Sequence, residues 1–155
     1  MSMEISVESP LRDEVRALVA SLNAYLRPLS PPEFQFQLTA EQMAGADTTV
    51  FVARDDKGNV VAMGGLKVHD ATLGEVKRMF ATPEVRGTGA GWKILQAIEA
   101  RARHLGIARL VLETGSTAGF EPAWALYERS GFTSCGPVLD YPDSAYNCFY
   151  EKKLA

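Results

Sequence analysis

Residues 86 to 91 read Arg-Gly-Thr-Gly-Ala-Gly, the densest run of glycine in the 155-residue chain. Three glycines in five positions leave the backbone N–H groups unshielded, so a ligand can approach them closely. Directly afterwards Ile94, Leu95, Ile98, Ala102 and Leu105 recur at helical spacing, which predicts a helix over Trp92 to Leu105. Gly106 falls where a C-terminal cap belongs. A helix start offers unpaired N–H groups and the positive end of its dipole. Loop and helix together read as a site for a phosphate or pyrophosphate; a plain flexible turn is the alternative. Two familiar phosphate motifs are excluded. A P-loop needs Gly-Lys-Ser/Thr where this chain has Gly91-Trp92-Lys93, and a dinucleotide fingerprint needs glycine at the position of Trp92.

What remains, Arg-x-x-Gly-x-Gly, resembles the acyl-CoA-binding loop of the GNAT (GCN5-related N-acetyltransferase) superfamily. The stretch Glu75 to Gly87 resembles the strand that leads into that loop, and Leu110 to Gly115 resembles the next strand. Ala125-Leu-Tyr-Glu-Arg-Ser-Gly-Phe132 is similar to the helix end that carries the family's tyrosine. Together with Glu113-Thr-Gly-Ser, Phe120-Glu-Pro-Ala and the closing stretch Asp140 to Leu154, these motifs look like a bacterial subgroup of largely uncharacterised GNAT acetyltransferases. The likeness is strong from about residue 47 to 154 and loose before that.

The resemblance implies acetyl-CoA as cosubstrate and no metal. It assigns the pyrophosphate to Arg86, Gly87, Thr88, Gly89, Ala90, Gly91 and Trp92, and the pantetheine arm to the backbone of Met79, Phe80 and Ala81, paired as an added strand would be. It makes Tyr127 the acid that protonates the leaving thiolate; a phenol with pKa near ~10 can do so without being charged at rest. In one place the chain departs from the family. Seven residues before the tyrosine many members carry an asparagine that holds pantetheine, and here it is Phe120, which would pack on the arm or line the acceptor pocket.

An alkyl amine with pKa near ~10.4 is only about one part in two thousand neutral at pH 7, so transfer to an amine needs a proton acceptor. Glu75, four residues before Met79, matches the catalytic glutamate of the histone-acetylating branch and is the first candidate; Glu113 at the end of the next strand is the second, and bound water the third. Strand alternation puts Glu75, Lys77, Met79 and Ala81 on one face and Val76, Arg78 and Phe80 on the other. His69 reads as a solvated turn residue; Lys77 and Arg78 either contact the acceptor or face solvent, with the second preferred; Arg129 reads as an exposed helix-end arginine, with a place near the CoA phosphates as the alternative.

Elements of ordinary composition must position these groups. Hydrophobic content of 46% with 23% charged residues is that of a soluble globular protein. The length points to one domain over residues 1–155 that buries about 70% of its unfolded surface. A net charge of −3 argues against a nucleic-acid surface and favours cationic or neutral substrates over anionic ones. No apolar run approaches the ~18 residues of a membrane span, and the acidic start does not read as a signal peptide. Cys135 and Cys148 lack metal-ligand spacing and read as reduced, buried thiols of a cytoplasmic protein.

Patterning predicts strands at 4–7, 48–53, 60–68, 76–81, 109–113, near 132–136 and 146–152, with helices at 11–26, 92–105 and 121–130 and a short one near 39–43. Ser9-Pro10 reads as the cap and first turn of the first helix. An antiparallel meander followed by strand–helix–strand gives an α/β fold with a mixed sheet, whose fourth and fifth strands are parallel neighbours. The resemblance adds the GNAT fold: about seven mostly antiparallel strands, the fourth and fifth splayed around pantetheine, and helices on both faces.

The expected function is N-acetyl transfer from acetyl-CoA to a primary amine of a small molecule or peptide. A non-catalytic acyl-CoA sensor is the alternative, and Tyr127 favours the enzyme. The acceptor pocket is expected from Leu26 to Gln37, the Val68–Gly74 turn and Tyr141 to Asn147. Nucleic acid and membrane are not expected partners; a homodimer is compatible with the sequence.

Overall fold

The computed structural model describes residues 3–36 and 38–154. Strands β1 (Glu4–Val7), β2 (Thr48–Arg54), β3 (Val60–Val68), β4 (Leu73–Ala81), β5 (Arg109–Gly115), β6 (Thr133–Cys135) and β7 (Asn147–Lys153) form one sheet in the order β1-β2-β3-β4-β5-β7-β6. Every neighbouring pair is antiparallel except β4 and β5. Helices α1 (Asp13–Leu26), α2 (Ala40–Met43), α3 (Ala90–His104) and α4 (Glu121–Arg129) complete the fold. Among the described residues no helix is long and apolar enough to cross a membrane.

Alternation along β2 divides the core. Val50 and Val52 point to a cluster with Val15, Leu18, Val19 and Leu22 of α1. Phe51 and Ala53 point the other way, to Ile94, Leu95 and Ile98 of α3. The sheet is therefore covered on both faces, which its apolar strands require. Tyr127 of α4 belongs to the α3 side. Val111, Phe149 and Tyr141 form a smaller cluster on the face of α1.

Local chemistry accounts for several boundaries. At the end of α3 the Gly106 N–H bonds to Arg103 O and the Ile107 N–H to Ala102 O, with Gly106 at φ 81°. This is the glycine cap read from the sequence, in Schellman form. Thr39 and Gln42 cap α2 reciprocally. The first helix differs from expectation. It begins at Asp13, after Arg12, and Ser9 Oγ accepts from the Leu11 N–H instead of capping the helix.

Two irregularities in β4 matter most. Its ladder with β5 holds only Leu73↔Arg109, Gly74↔Leu110 and Glu75↔Val111, although both strands continue beyond. From Val76 and Leu112 onward the two strands are unpaired to each other and open a gap. On the opposite edge Met63 pairs with Phe80 and Gly65 with Lys77, so Gly64 alone faces both Arg78 and Met79. This is a β-bulge, with Arg78 in left-handed conformation at φ 58°.

The bulge overturns the predicted alternation. Met79 and Ala81 pack with the α3-side core, whereas Phe80 packs on the α1 side and Arg78 reaches Asn23 of α1. Glu75 and Lys77 therefore share a face with Arg78 and Phe80, and Val76 with Met79 and Ala81. One extra residue inverts the phase of everything after it. Gly64 permits this arrangement: a Cβ there would lie 2.3 Å from Met79 Sδ and 2.7 Å from Ile94 Cγ2.

Candidate active site

The gap between β4 and β5 opens into a cavity of about 910 Å³. One end is the glycine loop from Arg86 to Trp92, the middle is edged by Met79 to Ala81, Phe120 and Tyr127, and the far end holds Glu75, Lys77, Arg78 and Glu113. The residues singled out from the sequence are thus gathered around one space.

At the loop end α3 starts at Ala90, with Gly89 as its N-cap at φ 90° and no side chain capping it. Gly87 has φ 82°. A Cβ on either glycine would meet nothing within 4 Å. The two glycines are therefore required by backbone conformation and not by close packing within the protein. The unpaired N–H groups at this helix start lie beside open space and could hold an anion. Arg86 is held in place: its Nε donates to Ala81 O at 3.2 Å, and its guanidinium lies 5.2 Å from the Tyr25 ring and 5.6 Å from the Phe80 ring. Thr88 Oγ1 donates to Val85 O at 2.5 Å, bracing the turn. Trp92 is exposed, on the first turn of α3.

In the middle Phe120 takes the N-cap position of α4, and its ring lies over Gly115, where a Cβ would come within 2.0 Å of Phe120 Cε2. Trp124 Nε1 donates to Gly115 O at 2.8 Å and ties α4 to the end of β5. Tyr127 is buried between Phe132 and Tyr150, at ring distances of 6.0 and 5.9 Å. Among the described residues its hydroxyl has no hydrogen-bond partner. Burial, reinforced by the Glu113 charge, pushes its pKa well above that of an ordinary phenol. Tyr127 is thus neutral at rest.

The far end is a network of side chains. Lys77 Nζ donates to the Tyr141 hydroxyl at 2.6 Å, and that hydroxyl donates to Glu75 Oε2 at 2.5 Å. His69 Nε2 lies 2.8 Å from Glu75 Oε1, and Lys77 Nζ 3.5 Å from Glu75 Oε2. Glu75 is 2% exposed, far from a solvated carboxylate at a strand end. Burial raises the Tyr141 phenol, and the Glu75 charge raises it further. Glu113, half-buried on the next strand, is pushed up to about 7, chiefly by burial; an Asn147 hydrogen bond and Lys77 oppose the rise.

Several sequence readings change here. His69 is not a solvated turn residue: the turn before β4 folds it back onto Glu75. Lys77 and Arg78 do not face solvent; the Lys77 side chain is 10% exposed and Arg78 is 8% exposed. Arg129 is exposed as expected and also edges the cavity. Of the expected acceptor walls, Leu26, Phe34, Phe36 and Tyr146 do line it, with Phe34 stacked on Tyr146 at 5.1 Å. The Val68–Gly74 turn does not line it and touches it only indirectly, where His69 meets Glu75, and Gln37 lies outside the described residues. Tyr141 was placed only in a pocket segment; its bond to Glu75 spans 66 residues of sequence and has no local signature. Among the described residues no group of His, Cys, Asp and Glu could hold a metal ion.

Known proteins resemble the chain in sequence and in fold. The sequence pattern of the Acetyltransferase (GNAT) family matches residues 15–132. An IAA acetyltransferase of Azospirillum brasilense is 38% identical over 99% of both chains. The uncharacterized N-acetyltransferase YsnE of Bacillus subtilis (strain 168) is 37% identical over 90% of this chain and 93% of its own. Among solved structures, a Klebsiella pneumoniae chain assigned as an acyl-CoA N-acyltransferase superposes with a TM-score of 0.82 at 29% identity, covering 99% of this chain and 98% of that one.

Proposed function

The chain belongs to the GNAT acetyltransferase family, and from that premise we propose that it transfers the acetyl group of acetyl-CoA directly to a primary amine, with Tyr127 as acid and Glu113 as base. The observation that carries this reading is the single cavity that runs from the glycine loop past Tyr127 to Glu113. Pyrophosphate sits on the N–H groups from Gly87 to Gly91 and pantetheine lies along Met79 to Ala81. The thioester then rests in the gap, with the α3 side behind it and the α1 side in front.

The chemistry balances within the cavity. The amine nitrogen attacks the thioester carbonyl, the new C–N bond forms and the C–S bond breaks. The thiolate takes the Tyr127 proton, the nitrogen gives its extra proton to Glu113 directly or through water, and exchange with solvent resets both groups. A base works best with a pKa near the operating pH, and Glu113 at about 7 meets that condition. Both Glu75 oxygens already have close partners, His69 Nε2 on one and the Tyr141 hydroxyl on the other. The base role expected of Glu75 therefore passes to Glu113, and Glu75 becomes the residue that positions Tyr141 and Lys77.

The pH dependence of kcat/KM tests this division. The wild-type profile rises through about pH 7 as Glu113 ionises. Glu113→Gln loses that limb and recovers between pH 7 and 9, where the neutral fraction of an alkyl amine grows almost a hundredfold. Glu75→Gln keeps the limb and lowers the plateau. If Glu75→Gln shows the rescue and Glu113→Gln tracks the wild type, the base is Glu75.

A further inference from the structure

Arg78 is a buried cation with no counter-ion. It is 8% exposed, lines the cavity on the α1 side, and spends one Nη2 donor on the neutral amide of Asn23. Its Nε is buried without a partner among the described residues. Burial alone pulls its pKa down to about 10, with no carboxylate acting to hold it up. Its neighbours are otherwise satisfied: Lys77 has Glu75 within 3.5 Å, and Glu75 has His69 and Tyr141.

Removing a guanidinium from water without an opposing charge costs several kcal/mol in general, and natural chains seldom leave such a group unpaired. The backbone sharpens the point. Arg78 occupies the left-handed bulge position at φ 58°, where glycine would be unstrained. The sequence keeps a strained arginine at the one place in β4 where the bulge turns a side chain off its alternating face toward Asn23.

We propose that the acceptor amine also bears a carboxylate, which pairs with Arg78: the substrate is a free amino acid or related amino-carboxylate with an apolar body. This rests on the acetyl-transfer reading of the same cavity. The planar fork of Arg78 suits a carboxylate bidentately. Leu22, Leu26, Phe34, Phe36 and Phe80 supply an apolar wall beside it. The amine is then directed toward Glu113, which lines the cavity on the neighbouring strand. The whole-chain charge of −3 pointed to cationic or neutral substrates; the cavity reverses that locally, because a desolvated arginine acts at short range where net charge does not. The phosphates of CoA are not the missing anion, since the loop that fits them starts the helix on the other side of the sheet.

Two measurements on the full chain test this. In thiol-release assays with acetyl-CoA, phenylalanine and leucine are compared with phenethylamine, isopentylamine and the two amino-acid amides. Each amino acid is expected to exceed its carboxylate-free partner at least tenfold in kcat/KM. Arg78→Asn, whose new side chain tolerates the left-handed backbone, is expected to bring that ratio close to one while CoA affinity stays within threefold by calorimetry. Equal or better use of the carboxylate-free amines by the wild type overturns the inference and leaves the transfer reading intact. In the second measurement N-acetylphenylalanine and its methylamide are titrated into the CoA-loaded wild type. Selective binding of the free acid without turnover of any amine removes the transfer reading and keeps the carboxylate site; no preference for the free acid overturns the site.

Discussion

The two ends of the cavity are built by different means. From Arg86 to Trp92 the wall is backbone: glycines at positive φ, an uncapped helix start and open space where side chains would be. At the other end the wall is side chain, with Glu75 and Lys77 joined to His69 and Tyr141 by short hydrogen bonds and Arg78 beside them without a counter-ion. A backbone wall recognises what all acyl-CoA thioesters share, because N–H groups carry no identity. A side-chain wall can differ between relatives without disturbing the first. This separation lets one fold keep its cosubstrate while changing its acceptor. Between the two, where β4 and β5 part, Tyr127 lines the gap.

Tyr127→Phe tests that middle position and should have the largest effect. Removing one hydroxyl while keeping the ring is expected to lower kcat roughly 10²-fold with little change in CoA affinity. A variant that keeps more than about half of the wild-type kcat, with chemistry rate-limiting, would leave Tyr127 a packing residue. Gly89→Asp attacks the backbone wall. A side chain at φ 90° and a negative charge beside the pyrophosphate should weaken CoA binding at least tenfold, about 1.4 kcal/mol. Calorimetry showing wild-type affinity in the folded variant would put the phosphates elsewhere. Tyr141→Phe loosens the support of the side-chain wall and should act on stability alone. It unlinks Lys77 from Glu75, and a loss of about 1–2 kcal/mol in urea unfolding is expected, with CoA affinity unchanged. If instead CoA affinity fell with Tyr141→Phe, the two ends would be coupled and the contrast between them would fail.

Legibility in the sequence follows the same division. The glycine loop, the helix after it and the Gly106 cap are contiguous, so their types and spacing state their conformation. The order from β1 to β4 is legible for a similar reason, since their turns lie within a few residues or their pairing follows a simple meander, and the crossover places β5 beside β4; the insertion of β7 between β5 and β6 has no such local sign. The faces of Val76 and Glu75 came from alternation, but those of Arg78 to Ala81 did not. The bulge places a non-glycine residue in left-handed conformation, and nothing local to Lys77-Arg78-Met79 announces it. Its only trace is Gly64, one strand away, whose missing side chain makes room for Met79.

The sequence by itself determined the glycine loop, the order of the sheet from β1 to β5, the family and the candidate proton-transfer groups, because each depends on residues that are neighbours in the chain. Only the tertiary structure decided that burial raises the Glu113 carboxyl, what holds Glu75, and that Arg78 is buried in the cavity without a counter-ion. Those properties depend on desolvation and on partners as far away as Tyr141. Burial is a property of the packed whole, and no short stretch of sequence carries it.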